Sequence, residues 1–318
     1  MIPYIDFHCD TLWRAWELQK QDIRSVPEAM LDLQRLAKSG CMAQFFAIFM
    51  MPQPPQTGCG DDAYIAELEG IFRRSLGELL APARCWEDLE QSRKDGKISG
   101  FLTLEDGRAV RGSMERLEDF FTRGIRLITL TWNYENCYGS PNSMDAAVMS
   151  RGLTPFGKDA VRRMQELGML VDVSHLSDGG FWDVAQITDR PFVASHSNCR
   201  ALNPHPRSMT EDMIRALADH GGILGVNFEP SFLTKKLKTR DSRIEDLVRH
   251  LRHMVQTGGL ECAAIGTDLD GIEGNIELGS VDRMPLLFQA MERAGFTERE
   301  IEHIAWKNAA RILRELKP

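Results

Sequence analysis

Eight short apolar runs, each followed by a stretch of helical periodicity, set the limits on what this chain can fold into. The first lies within Tyr4–Thr11, and the others are Cys41–Met50, Ile98–Glu105, Ile125–Trp132, Met169–His175, Phe192–His196, Ile223–Phe228 and Ala263–Asp268. The second run is almost continuously apolar, as a strand covered on both faces of a parallel sheet requires. Helices are expected over Leu12–Gln21, Pro27–Ser39, Asp61–Leu80, Met114–Arg123, Pro155–Leu167, Gly180–Ile187, Glu211–His220, Ser242–Thr257, Met284–Ala294 and Thr297–Leu316. Thr154 and Pro155 open one of them as cap and first-turn proline. Proline-rich Met51–Thr57 reads as a loop. Eight such strands alternating with helices give an α/β fold, a closed (β/α)8 barrel of the TIM type. An open doubly wound sheet is the competitor, but no Gly-x-Gly-x-x-Gly turn follows the first strand. Without a composition shift, repeat or low-complexity tract, residues 1–318 are expected to form a single barrel domain finished by C-terminal helices.

Charge narrows the function. A net charge of −8 argues against nucleic acid as the main partner, because phosphate binding needs a basic surface. The 7 cysteines are scattered and form no Cys-x-x-Cys pair, which fits free thiols in a reducing compartment. No apolar run reaches the ~18 residues of a membrane span, and no leader pattern precedes the first strand. A cytoplasmic protein without a membrane partner is the expectation.

The chemistry gathers at strand ends. Alternation within Tyr4–Thr11 puts His8 and Asp10 on one side of the first strand, where they form a metal half-site. The plainer alternative is an exposed strand end whose Asp10 caps the following helix. Glu105, His175, His196 and Asp268 end four further strands, and in a barrel such ends converge on the face where active sites lie. Each residue alone could be a loop hydrogen-bonder or a helix cap; their recurrence is harder to explain that way. His205, His220, His250, His253 and His303 fall in loops or helices and read as solvated. Three histidines and three carboxylates exceed the needs of one tetrahedral zinc. They suit two divalent ions ~3.5–4 Å apart, bridged by a carboxylate and a hydroxide, the machinery of amide hydrolysis. An Asp not tightly bound to metal can move the water's proton to the leaving amine.

The ordered motifs His-x-Asp, a strand-end Glu-x-Gly, Asp172-Val173-Ser174-His175, Ser195-His196-Ser197 and Gly266-Thr267-Asp268-Leu269-Asp270-Gly271 resemble those of the membrane (renal-type) dipeptidases. These are zinc peptidases of family M19 with an amidohydrolase-like, metallo-dependent-hydrolase barrel. The resemblance runs from Asp6 to about Gly271. It implies that His8 and Asp10 hold one zinc, that His175 and His196 hold the other, and that Glu105 bridges them. It also implies Asp268 as the catalytic acid/base and Arg207 as the substrate-binding arginine, whose guanidinium suits a peptide carboxylate. A homodimer is implied as well.

Two positions depart from the family's pattern. Glu105-Asp106-Gly107 stands where Glu-Gly-Gly is usual, and Trp132 stands where many members have a histidine that donates to the substrate. An indole N–H is a neutral donor that cannot ionise, so it replaces that histidine only in part. Asn133 or Tyr134 can contribute to substrate binding, or Trp132 can wall a side-chain pocket. The long Asn133–Gly152 segment is open to two readings, a substrate-covering lid and a passive insertion.

The expected function is a two-zinc dipeptidase acting on L-Xaa–L/D-Xaa dipeptides through a hydroxide bridging the metals. Alternatives are a related amidohydrolase of N-acyl amino acids or lactones, and a non-catalytic metal-binding barrel.

Overall fold

The computed structural model describes residues 2–51, 61–236 and 239–318. Eight parallel strands form a ring: β1 (Tyr4–Cys9), β2 (Cys41–Phe49), β3 (Ile98–Glu105), β4 (Ile125–Thr129), β5 (Leu170–Asp172), β6 (Val193–Ser197), β7 (Ile223–Val226) and β8 (Ala263–Ile265). Each pairs with the next in sequence, and β8 pairs with β1 through Asp6↔Ile265 to close the barrel. This is the expected (β/α)8 fold. All eight apolar runs became barrel strands.

A short extra strand, Leu80–Ala83, was not anticipated. It pairs with the lower half of β3 (Ile98–Phe101), while β4 takes the upper half of the same edge (Leu102–Glu105). The helix expected over Asp61–Leu80 therefore stops at Ser75, and the helix Trp86–Lys94 follows the extra strand. The helix expected from Pro27 begins only at Leu33, where Asp32 accepts from the Arg35 amide. The C-terminal helix is broken by a π-turn at His303–Lys307. Thr154 caps Pro155–Leu167 as expected, and Gly168 ends it at φ 78°, a conformation that favours glycine. Of the Met51–Thr57 loop, all but Met51 lies outside the described residues, as does Cys59. Cys9, Cys41, Cys85, Cys137, Cys199 and Cys262 are free thiols. No helix among the described residues is long and apolar enough to cross a membrane.

The barrel interior is packed by residues from every strand, among them Phe7, Phe45, Phe101, Leu127, Leu170, Val193, Ile223 and Ala264. Phe45 stacks between Phe7 at 4.6 Å and Phe101 at 4.8 Å. This plug fills the barrel and leaves its C-terminal mouth to polar groups.

The plug exposes an irregularity in β1. Phe7 belongs to it, yet the next residue, His8, meets Glu105 of β3 and Asp268 after β8. Both neighbours turn into the barrel, because the β1–β2 register shifts between Asp6 and Cys9. The irregularity falls before His8: Cys9 packs in the other apolar cluster, and His8 and Asp10 share the inner side as alternation predicts, 3.7 Å apart. Asp6 instead ties β1 to its flanks, accepting from Gln44 Nε2 at 3.1 Å and Thr267 Oγ1 at 2.7 Å.

Candidate metal centre

His8, Asp10, Glu105, His175, His196 and Asp268 converge at the C-terminal mouth, and all but His175 are buried. His8 Nε2 lies 3.7 Å from Asp10 Oδ2, 3.4 Å from Glu105 Oε2 and 3.7 Å from Asp268 Oδ1. The other oxygen of Glu105, Oε1, faces His175 Nε2 at 3.3 Å and His196 Nε2 at 3.5 Å. One carboxylate is thus shared between two ligand groups. Asp10 stands at the N-cap position of Thr11–Glu17, but its side chain makes no capping bond. The capping alternative is ruled out.

The tautomers of two histidines follow from their partners. Asn133 Oδ1, an acceptor, lies 3.2 Å from His175 Nδ1, so that nitrogen carries the proton. Ser195 Oγ donates to Asp172 Oδ2 at 2.6 Å and so accepts from His196 Nδ1 at 2.7 Å. Asp172 also accepts from Thr129 Oγ1 and from the amides of Ser174 and Ser195. Both imidazoles therefore turn unprotonated Nε2 atoms toward each other, 3.1 Å apart. Burial, with Arg207 and His8 nearby, pushes both pKa values well down and keeps the rings neutral. Two buried lone pairs at this separation repel unless a cation lies against them. His8 Nδ1 and Nε2, Asp10 Oδ1 and Glu105 Oε2 likewise have no hydrogen-bond partner. A buried set of nitrogen and carboxylate atoms without hydrogen-bond partners fits a metal ion.

The carboxylates tell the same story. Burial pushes Glu105 up to about 7, with Asp10 adding to it, and Asp268 up to about 8. Burial works against charge on His8, but Glu105 and Asp10 hold its pKa well above the ordinary value. The metal-free cluster therefore holds protons where divalent cations would replace them.

Backbone geometry aims these groups. His175 has φ 67° and Asp268 φ 62°, left-handed values that non-glycine residues rarely adopt. The His175 turn is held by its own carbonyl, which accepts from Asn142 N at 2.7 Å, Asn142 Nδ2 at 3.0 Å and Thr131 Oγ1 at 3.2 Å. The long segment after β4 thereby supports His175, and Tyr138 within it is buried. Asp106, at φ 80°, takes a glycine-favouring conformation; its Oδ1 accepts from Asn136 Nδ2 and the Arg108 amide. Asp270 ties the mouth together, accepting from Thr11 Oγ1 and the Met30 amide, both at 2.6 Å. Gly271 leaves room for two carboxylates: a Cβ there would collide with Asp10 Oδ2 and lie 2.6 Å from Asp268 Oδ1.

A cavity of about 410 Å3 opens over the cluster, lined in part by Trp132 and Asn133. Arg207 is buried beside it, with its guanidinium against the Phe232 ring at 5.6 Å. It donates to Ser197 Oγ at 2.7 Å and to the His196 carbonyl at 2.9 Å, and its Nε has no partner. Burial lowers its pKa to about 10, which leaves it charged at neutral pH.

Several contributors were not anticipated. Ser195, Asp172 and Asn227 position site residues, and each is a polar group inside an apolar run, the signal that marks a buried partner. His250 is not solvated as expected. It is buried, accepts from the Cys199 amide at 3.1 Å and donates to the Leu233 carbonyl at 2.9 Å, which fixes the loop carrying Phe232.

A closed parallel barrel with clustered histidines and carboxylates at its C-terminal mouth defines a hydrolase of the metal-dependent class. The family model for membrane dipeptidases, peptidase family M19, matches residues 1–317, and the chain belongs to that family. It is 34% identical over 262 residues to an uncharacterized Klebsiella pneumoniae protein encoded in the pqqA 5′ region, covering 79% of this chain and 94% of that one. It is 32% identical to an uncharacterized dipeptidase of Schizosaccharomyces pombe, covering 70% of this chain and 54% of the yeast protein. Among solved structures, a dipeptidase described as an M19 metallopeptidase superposes with TM-score 0.89 at 26% identity, over 99% of this chain and 98% of that one. A Rhodobacter sphaeroides metallopeptidase, solved with a phosphinate mimic of L-Ala-D-Ala, shares the fold at TM-score 0.88 and 24% identity, over 99% of each chain.

Proposed function

We propose that the chain, acting as a single barrel domain, is a two-zinc dipeptidase that cleaves the one peptide bond of L-Xaa–L/D-Xaa dipeptides. His8 and Asp10 would hold one ion, His175 and His196 the other, with Glu105 shared between them. The observation that carries this reading is the division of Glu105, with Oε2 toward His8 and Oε1 toward His175 and His196. Two such ions lower the pKa of a water and polarise a carbonyl.

The chain's own groups supply the rest. Asp268 turns Oδ1 into the cluster while Asn227 Nδ2 holds Oδ2 at 2.8 Å, so one oxygen is free to take a proton and pass it to the leaving amine. Arg207, charged and with Nε unpaired, anchors the substrate carboxylate. Phe232 and Trp132 both bring apolar surface into the cavity. Asn133, which orients His175, also borders the substrate.

Free amino acids released from a panel of L,L- and L,D-dipeptides, by metal-stripped and zinc-reloaded protein in parallel, test the proposal. Zinc-dependent release supports it. Equal release without metal, or none with metal bound, rejects it.

A further inference from the structure

The cavity over the metal cluster has two unlike sides. On one, Trp13 after β1, Phe49 at the end of β2 and Trp132 after β4 form a continuous aromatic wall. Phe49 is its centre, meeting Trp13 edge-on at 6.0 Å and 81° and Trp132 at 5.1 Å and 69°. All three rings are partly exposed and line the cavity. Strand order makes this one arc of the mouth, because β1, β2, β3 and β4 are consecutive neighbours. The opposite arc, after β6 and β7, carries Phe232 and Glu229, with the buried Arg207 guanidinium 5.6 Å from the Phe232 ring. Among the described residues the cavity lining includes Glu229 but no lysine or arginine.

We propose that the aromatic arc is the pocket for the side chain of the substrate's N-terminal residue. The enzyme then favours dipeptides that begin with a large apolar or aromatic residue and disfavours those that begin with an acidic one. The inference rests on the dipeptidase reading above. With the carboxylate end drawn to Arg207, the other residue faces the arc of β1 to β4. Edge-to-face rings offer a third aromatic group both area and favourable geometry. An acidic side chain would lose its hydration there and find no cation. Trp132, packed on Phe49, thus extends the apolar wall.

The test is kcat/KM of the zinc-loaded full chain for Phe-Ala, Leu-Ala, Gly-Ala and Asp-Ala. Phe-Ala and Leu-Ala should exceed Gly-Ala by about tenfold or more, with Asp-Ala lowest, given what apolar pockets discriminate. Trp132→Ala and Phe49→Ala should each lower Phe-Ala at least about fivefold more than Gly-Ala, mainly through KM. If a variant fails to fold, the native protein's ranking still decides. Gly-Ala cleaved as well as Phe-Ala and Leu-Ala overturns the inference and leaves the dipeptidase reading standing. Equal losses on every peptide in both variants also overturn it, since they would place the rings in the reaction rather than in side-chain binding. Hydrolysis of none of the four by protein holding two zinc ions overturns the dipeptidase reading, and this inference with it.

Discussion

Asn227 donates from Nδ2 to one oxygen of Asp268 across 2.8 Å, and the other oxygen of that carboxylate faces His8 Nε2 at 3.7 Å. Asn227 also donates to the His196 carbonyl at 3.3 Å, so one amide holds the carboxylate against the strand that carries His196. In the proposed acid/base role Asp268 would contribute about 10²–10⁴-fold to a proton-transfer step. Asp268→Asn should therefore lower kcat by that factor, with bound metal unchanged by elemental analysis. Loss of metal from that variant would make Asp268 a ligand instead.

Ser195 relays Asp172 to His196, and this fixes the ring so that Nε2 is the free nitrogen. Removing an outer partner of a metal-binding histidine typically costs about 10–100-fold in affinity. Ser195→Ala should show that loss when zinc is competed against a chelator. Unchanged affinity would mean that packing alone orients His196.

Gly271 sits where a methyl group would strike Asp10 Oδ2 and crowd Asp268 Oδ1. Gly271→Ala should leave the barrel's circular dichroism intact and lower activity by about 10²-fold, the scale of a 1 Å misplacement at a reacting centre. Near-native activity would show that the mouth relaxes more readily than its hydrogen bonds imply.

Protonation predicts how the metal-free protein responds to pH. Glu105 and Asp268, raised to about 7 and about 8, keep protons in the folded state that an unfolded chain has already released by pH 6.5. His8, also raised, adds to this, while His175 and His196 are neutral in the fold throughout. From pH 6.5 to 8 the folded state therefore binds more protons than the unfolded state, and stability falls as pH rises. Below that window the unfolded histidines take up protons that folded His175 and His196 refuse, which offsets the trend. The unfolding free energy of stripped protein, from urea denaturation, should drop between pH 6.5 and 8 by on the order of 2 kcal/mol. Zinc reloading should remove the slope. A stripped protein more stable at pH 8 would contradict the charge assignment.

The barrel was legible because eight largely apolar runs recur between helical stretches, as strands covered on both faces of a parallel sheet require. The histidines and carboxylates that converge at the mouth were legible because each lies at or just past the end of such a run. Leu80–Ala83 was not, since four residues with a proline carry no strand signature, and the helix before it shares its apolar content. The shift in β1 was hidden too: Asp6 and His8 alternate with Ile5 and Phe7 in sequence, yet only the pairing with β2 shows that Phe7 and His8 share the interior. The supporting roles of Ser195, Asp172 and Asn227 depend on contacts between strands far apart in sequence. His250 lies on a helix whose apolar stripe gave no hint of the two backbone groups it joins.

The most direct test of the two-metal account is a zinc titration of stripped protein, followed by hydrolysis of L-Ala-D-Ala. The shared position of Glu105 predicts that activity climbs until two equivalents per chain are bound and then levels. Full activity at one equivalent, or none at two, would contradict it.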